Sequence, residues 1–132
     1  MTSSSTYQRP LVAEILKALK KRLPLIHVIM GPRQVGKTTA ALQVAAAWEG
    51  ETVFAAADGP LPPGASWVEA QWELALAKGR GGRRVLLVLD EIQKVRGWSE
   101  SVKLVWDRGR REGAEVSLLL LGSSSLLMQA GM

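Results

Sequence analysis

The chain has 132 residues, 47% of them hydrophobic, with no cysteine and a formal net charge of +5. That length fits one domain able to bury roughly two thirds of its unfolded surface, and the apolar content excludes a disordered chain. The absence of cysteine excludes a disulfide scaffold and a thiolate metal site and agrees with a cytoplasmic location, while the positive charge favours anionic partners, nucleotide or nucleic acid, without choosing between them.

Residues 1–8 are polar and predict a flexible start. Pro10 suits the first turn of a helix. Leu11, Val12, Ile15, Leu16, Leu19 and Leu23 then share one helical face, with Glu14, Lys17, Lys20 and Lys21 mostly opposite. Pro24 stops this helix. Residues 25–30, "LIHVIM", predict a first strand, residues 38–49 an alanine-rich helix ended by Gly50, and residues 52–57 a second strand. "DGPLPPG" fits only a loop. Residues 66–78 predict a helix with a cap residue at its start, and "GRGGRR" a flexible connection. A third strand covers 85–89, a helix opening with Ser99 as its cap covers 99–112, and a fourth strand covers 116–121. "SSSLLMQA" begins one more helix. Strands alternating with helices imply a mostly parallel sheet, and strands this continuously apolar imply helices on both faces. The opening "MTSSSTYQRP" lacks the apolar stretch of a secretory signal, and the longest apolar runs are too short to span a bilayer.

The chemistry concentrates where strands end. Between the first strand and its helix lies "GPRQVGKTT", which fits the phosphate-loop pattern G-x-x-x-x-G-K-[ST] with Gly31, Gly36, Lys37 and Thr38. Gly31, Pro32, Arg33, Gln34, Val35, Gly36, Lys37, Thr38 and Thr39 are therefore the candidate nucleotide-binding residues. The glycines let backbone N–H groups turn inward around a phosphate, and the helix N-terminus adds the positive end of its dipole. Lys37 supplies a mobile charge toward the β and γ phosphates, and the Thr38 hydroxyl is a ligand for Mg2+.

The third strand ends in two adjacent acids, "VLLVLDEIQ". Asp90 at the strand tip resembles the Walker B aspartate, which partners a phosphate-bound Mg2+. Glu91 is the candidate base that orients and deprotonates water. The order of strands and motifs resembles the additional-strand class of P-loop ATPases, in which another strand is inserted between the phosphate-loop strand and the Walker B strand. The fourth strand would be that insert. It ends in "GSSS", which puts Ser123 between the two motifs, as a holder of the attacking water or as a plain helix cap. The expected catalytic set is Glu91, Lys37 and Ser123, with Thr38 and Asp90 as metal ligands.

"GPRQVGKTT", "LDEIQKVRGW" and "LLLGSSSLLM", in this order, resemble an AAA+ ATPase family of bacteria and archaea whose members join an N-terminal ATPase domain to a nuclease-like C-terminal region of unknown function. The resemblance covers about residues 10–132. It implies a three-layer αβα P-loop core, ATP and Mg2+ as ligands, hydrolysis, assembly into a homo-oligomer and a C-terminal effector region. Leu121 departs from the usual Thr or Ser before the glycine, leaving Ser123 as the sensor candidate. The chain ends at Met132, inside the helix after the fourth strand. The expectation is thus a core without the fifth strand, the helical lid and the arginine finger of AAA+ proteins, with the phosphate-loop strand at an open sheet edge.

The other conspicuous residues have simpler readings. His27 reads as a core or edge histidine, and the tryptophans as packing residues. Arg108, Arg110 and Arg111 read as a solvated helix end, "GRGGRR" as a loose basic loop, and Lys17, Lys20, Lys21 and Arg22 as a solvated face. Two functional alternatives stand beside ATP hydrolysis: a nucleotide-binding switch with negligible turnover, and a P-loop phosphotransferase. A water-activating Glu91 disfavours the latter.

Overall fold

A computed structural model describes residues 2–19, 24–31 and 36–123. Four strands, β1 (Ile26–Gly31), β2 (Glu51–Ala56), β3 (Val85–Asp90) and β4 (Val116–Ser123), form one sheet in the order β1-β4-β3-β2, every neighbouring pair parallel. The helices are α1 (Thr2–Leu19), α2 (Lys37–Ala47), α3 (Ser66–Lys78) and α4 (Trp98–Glu112), with a 3-10 turn at Ile92–Lys94. The fourth strand in sequence lies between the first and the third, as the additional-strand reading requires. Pro32, Arg33, Gln34 and Val35 of the phosphate loop, residues 20–23, and the helix expected after Ser123 lie outside the described residues.

The central strands β3 and β4 are buried at every position. Because strand side chains alternate, each strand feeds two cores. Leu87, Leu89, Leu118 and Leu120 pack under α3 and α4 with Val68, Trp72, Val102 and Val105. Leu86, Val88, Leu119 and Leu121 pack under α1 and α2 with Ile15, Leu19, Ala41 and Val44. Leu121 is thus a core residue with no polar task. The sheet edges are different: Ile26 and Val28 on β1 and Phe54 on β2 are exposed. Among the described residues no helix is long and apolar enough to cross a membrane.

Several local expectations change. α1 begins at Thr2, so Pro10 lies inside the helix and not in its first turn. Proline keeps a helical φ there and removes one backbone donor. Ser66 and Ser99 are not caps. Ala65 is already in the helical region, and α4 starts from Gly97 in the left-handed region at φ 67, where glycine is favoured. Gly50 follows α2 for a reason of space: a Cβ there would sit 2.2 Å from the Arg84 carbonyl oxygen. Nor is "GRGGRR" wholly loose. Arg84 donates to the Leu19 carbonyl at 2.6 Å and stacks on Trp48 at 4.9 Å, tying the end of α1 to the start of β3. Arg108 pairs with Glu69 and Glu73 of α3 across an exposed face, contacts of small energetic weight.

α3 and α4 meet at one close approach. A Cβ on Gly109 would lie 2.5 Å from Cζ2 of Trp72, a side chain only 1% exposed. Gly109→Ala should therefore destabilise the fold by about 1–3 kcal/mol, the usual range for overpacking. Thermal unfolding of the variant checks this, and pairing it with Trp72→Leu should recover part of the loss.

Candidate functional site

Parallel strands deliver all their C-terminal ends to one edge of the sheet, where the loops of an open α/β fold gather. β1 ends at Gly31 opposite Ser123 of β4, and β2 ends at Ala56 opposite Asp90 of β3. At this edge a cavity of about 490 Å³ is lined by Gly36, Lys37, Thr38, Thr39, Asp58, Asp90, Glu91 and Lys94. A second cavity, about 320 Å³, lies at the opposite edge beside Leu16, Trp48 and Arg84. Its lining holds none of the candidate residues.

One wall of the upper cavity is the start of α2. Gly36 takes the left-handed conformation, φ 83, that turns the chain into the helix, and its carbonyl accepts the Ala40 N–H at 2.8 Å. The positive end of the α2 helix dipole thus faces the cavity. Lys37 lines the same space at 7% exposure. The Thr38 hydroxyl donates to Asp90 Oδ2 at 3.1 Å, bringing together residues 52 positions apart in the chain.

Asp90 is the second wall. It is 7% exposed, at the tip of a strand buried throughout. Burial is the largest influence on its carboxyl and raises its pKa above the ordinary 3.8. The Thr38 hydroxyl and the Glu91 N–H oppose the rise, the Glu91 charge adds to it, and Lys37 counters it weakly. The Glu91 N–H donates to Asp90 Oδ1 at 2.8 Å, so each carboxylate oxygen holds one donor.

Glu91 is the one non-glycine residue in the left-handed region among the described residues, at φ 57. That conformation costs roughly 1–2 kcal/mol for a residue with a Cβ and turns the chain abruptly out of β3. Glu91 Oε1 accepts from Gln93 Nε2 at 2.8 Å and lies 3.8 Å from Lys94 Nζ. Gln93 Oε1 in turn accepts the Ser123 N–H at 3.2 Å. The Ser123 hydroxyl is buried and has no partner among the described residues.

The structure therefore brings Gly36, Lys37, Thr38, Thr39, Asp90 and Glu91 to one cavity, with Ser123 joined to Glu91 through Gln93. Asp58, Gln93 and Lys94 are additions. Asp58 follows the β2 tip, and the rule that sites gather at strand ends would have found it. Gln93 leaves no periodic signal, because its partners are Glu91 and a backbone group 30 residues away. His27, on edge strand β1, is outside the cavity. Its Nε2 is buried without a partner among the described residues, and burial lowers its pKa despite Glu14. Trp72 and Trp98 are core residues.

Chemically, a helix N-terminus with an adjoining lysine suits an oxyanion group. The hydroxyl of Thr38 and the carboxylate of Asp90 are two hard oxygens in contact, a donor set that fits a small divalent cation sharing its coordination with water and phosphate. Glu91 Oε2 receives no hydrogen bond from the described residues.

Comparison with known proteins gives three findings. No curated protein matches the sequence. Among solved structures, C. elegans PCH-2 is similar over 98% of this chain and 41% of its own, at 17% identity and a TM-score of 0.49. The chain thus spans less than half the length of that structure. Residues 24–132 match an AAA domain family. That match takes in β1 to β4 and every residue of the candidate site, and the chain belongs to this AAA domain family, of nucleotide-binding, ATPase type.

Proposed function

We propose that the chain binds Mg·ATP at the strand-tip cavity and hydrolyses it. The observation that carries this reading is the contact of Thr38 with Asp90, which unites the phosphate-loop threonine and the strand-tip acid at the mouth of α2. Backbone N–H groups of residues 31–39, Pro32 having none, hold the phosphates, and Lys37 binds the β and γ oxygens. Thr38 and Asp90 would hold a magnesium ion, which would supply positive charge against the phosphates. Glu91 accepts a proton from the attacking water at Oε2, and the Ser123 hydroxyl orients that water. The water oxygen bonds to the γ phosphorus as the bond to the bridging oxygen breaks, and ADP and phosphate leave.

One observation favours a second reading. The Lys94 ammonium faces Glu91 Oε1, so the base rests in an ion pair, as a nucleotide switch with negligible turnover would keep it. Phosphate release separates the two readings. The motif order that resembles AAA+ ATPases joined to a nuclease-like region supports a role as the ATP-driven part of such a cytoplasmic protein, working as a homo-oligomer.

Two predictions follow from the roles assigned. Lys37→Ala weakens Mg·ATP binding about 10–100-fold, as expected for a lost charged hydrogen bond worth about 1.5–3 kcal/mol, and weakens ADP less. Glu91→Gln keeps Mg·ATP affinity within a few fold while hydrolysis falls by about 10²–10⁴. Calorimetric titration and phosphate release measure the two quantities, and unchanged affinity in Lys37→Ala or unchanged hydrolysis in Glu91→Gln contradicts the assignment.

Asp90 gives a prediction of opposite sign for stability. Its raised pKa means that the neutral carboxyl suits the unliganded fold. That stabilisation is full below 3.8 and is lost as pH rises through the folded value, so the ionised acid costs stability at neutral pH. Asp90→Asn should raise the Tm of the nucleotide-free protein at pH about 7, with the gain shrinking as pH falls toward 3.8. The same variant should lose the Mg2+ dependence of nucleotide binding. A lowered Tm at neutral pH contradicts the claim that Asp90 is kept for a cation.

A further inference from the structure

The side chain of Gln93 does what a strand carbonyl would do. In β4, the Leu118 N–H donates to the Leu25 carbonyl on the β1 side, so even-numbered N–H groups point to β1 and odd-numbered ones to β3. The β3–β4 register ends at Leu89 opposite Leu120. Ser123 is odd-numbered and lies past that end, so its N–H points to where one more residue of β3 would stand. The main chain is no longer there. Glu91 has turned into the left-handed region, and its carbonyl is taken by the Lys94 N–H at 3.0 Å. The Gln93 carboxamide oxygen fills the place, accepting the Ser123 N–H at 3.2 Å. This acceptor role fixes which end of the amide is oxygen. The nitrogen then faces Glu91 and donates to Oε1 at 2.8 Å.

We propose that Gln93 is a positioning residue for hydrolysis: one carboxamide replaces the missing rung between β3 and β4 and, with its other end, holds the Glu91 carboxylate by Oε1 so that Oε2 is the oxygen presented for proton transfer. The proposal rests on Glu91 as the base. It joins three facts otherwise unrelated: the strained turn at Glu91, the buried amide partnership of Ser123, and the unequal use of the two Glu91 oxygens. The turn removes a rung from the ladder, and the side chain two residues on restores it. The spacing between Glu91 and the β4 tip is then set by one planar group with no rotatable bond between its two hydrogen-bonding ends. Lys94 approaches the same Oε1 at 3.8 Å, which adds charge on that side, and no hydrogen bond from the described residues reaches Oε2.

Three variants of the full chain test this, each checked by thermal unfolding. Gln93→Ala should lower kcat for Mg·ATP by about 10–100-fold, the scale of a misplaced reactive group, with the Kd for Mg·ATP within twofold. Its Ser123 amide should exchange with solvent about tenfold faster, the equivalent of one lost hydrogen bond. Gln93→Glu keeps an acceptor for Ser123 and removes the donor to Glu91. It should retain the parent's Ser123 exchange rate while losing as much kcat as Gln93→Ala. Glu91→Gln separates the two claims. Turnover that survives in Glu91→Gln removes Glu91 as the base, whereas a dead Glu91→Gln beside a Gln93→Ala with parent kcat overturns only the role of Gln93. Unchanged Ser123 exchange in Gln93→Ala overturns the rung itself, with or without turnover in any chain.

Discussion

A strand buried on both faces ends in a carboxylate, and much of the site depends on how that charge is managed. Asp90 closes β3 at 7% exposure. Ionised, it would be costly in such a place without donors or a cation. The chain provides both kinds of relief. The Glu91 N–H and the Thr38 hydroxyl take one oxygen each, and Lys37 of α2 lines the same cavity. Because Thr38 belongs to the helix that follows the phosphate loop, satisfying Asp90 also fixes where α2 begins relative to β3. The buried acid therefore acts as a locator for the start of α2, the element proposed to bind phosphate.

The topology makes this possible. With β4 between β1 and β3, the strand that precedes α2 and the acidic strand stand one strand apart, and the cavity lies between the start of α2 and the tip of β3. Side chains complete the ladders where main chains leave them. Gln93 does so for Ser123 at the upper end of β4, and Ser117 does so at the lower end, where its hydroxyl accepts the Leu25 N–H at 3.1 Å. The Ser123 amide at the tip of β4 and the Leu25 amide just before β1 are thus both partnered by side chains of neighbouring segments. The rigid interior contrasts with the edges, where Val28 and Phe54 face solvent.

Most of the architecture was legible in the sequence because the strands are unbroken apolar runs between turn-forming segments. "VLLVLD" and "VSLLLL" read only as strands covered on both faces, and the glycine–lysine–threonine pattern gave the loop its place between β1 and α2. Helix starts were less legible. Ser66 and Ser99 carry the side chains of caps, but α4 starts from Gly97 in a left-handed turn and α3 from Ala65, already helical in backbone. Pro10 read as a first turn because proline is tolerated there, and nothing in the sequence marks an interior proline. Glu91 was legible by its neighbour and its strand. Its strained backbone and its link to Ser123 were not, since both arise from a side chain pairing with a distant amide.

The central claim is that nucleotide binds at the strand tips, with its phosphates at the start of α2. Amide chemical shifts of the isotopically labelled chain, followed through a titration with Mg·ATP, test this most directly. The account predicts saturable changes centred on Gly36–Thr39, Asp58, Asp90–Lys94 and Ser123, with the far edge at Leu16, Trp48 and Arg84 unmoved. Changes centred on that far cavity, or none at saturating nucleotide, would contradict it.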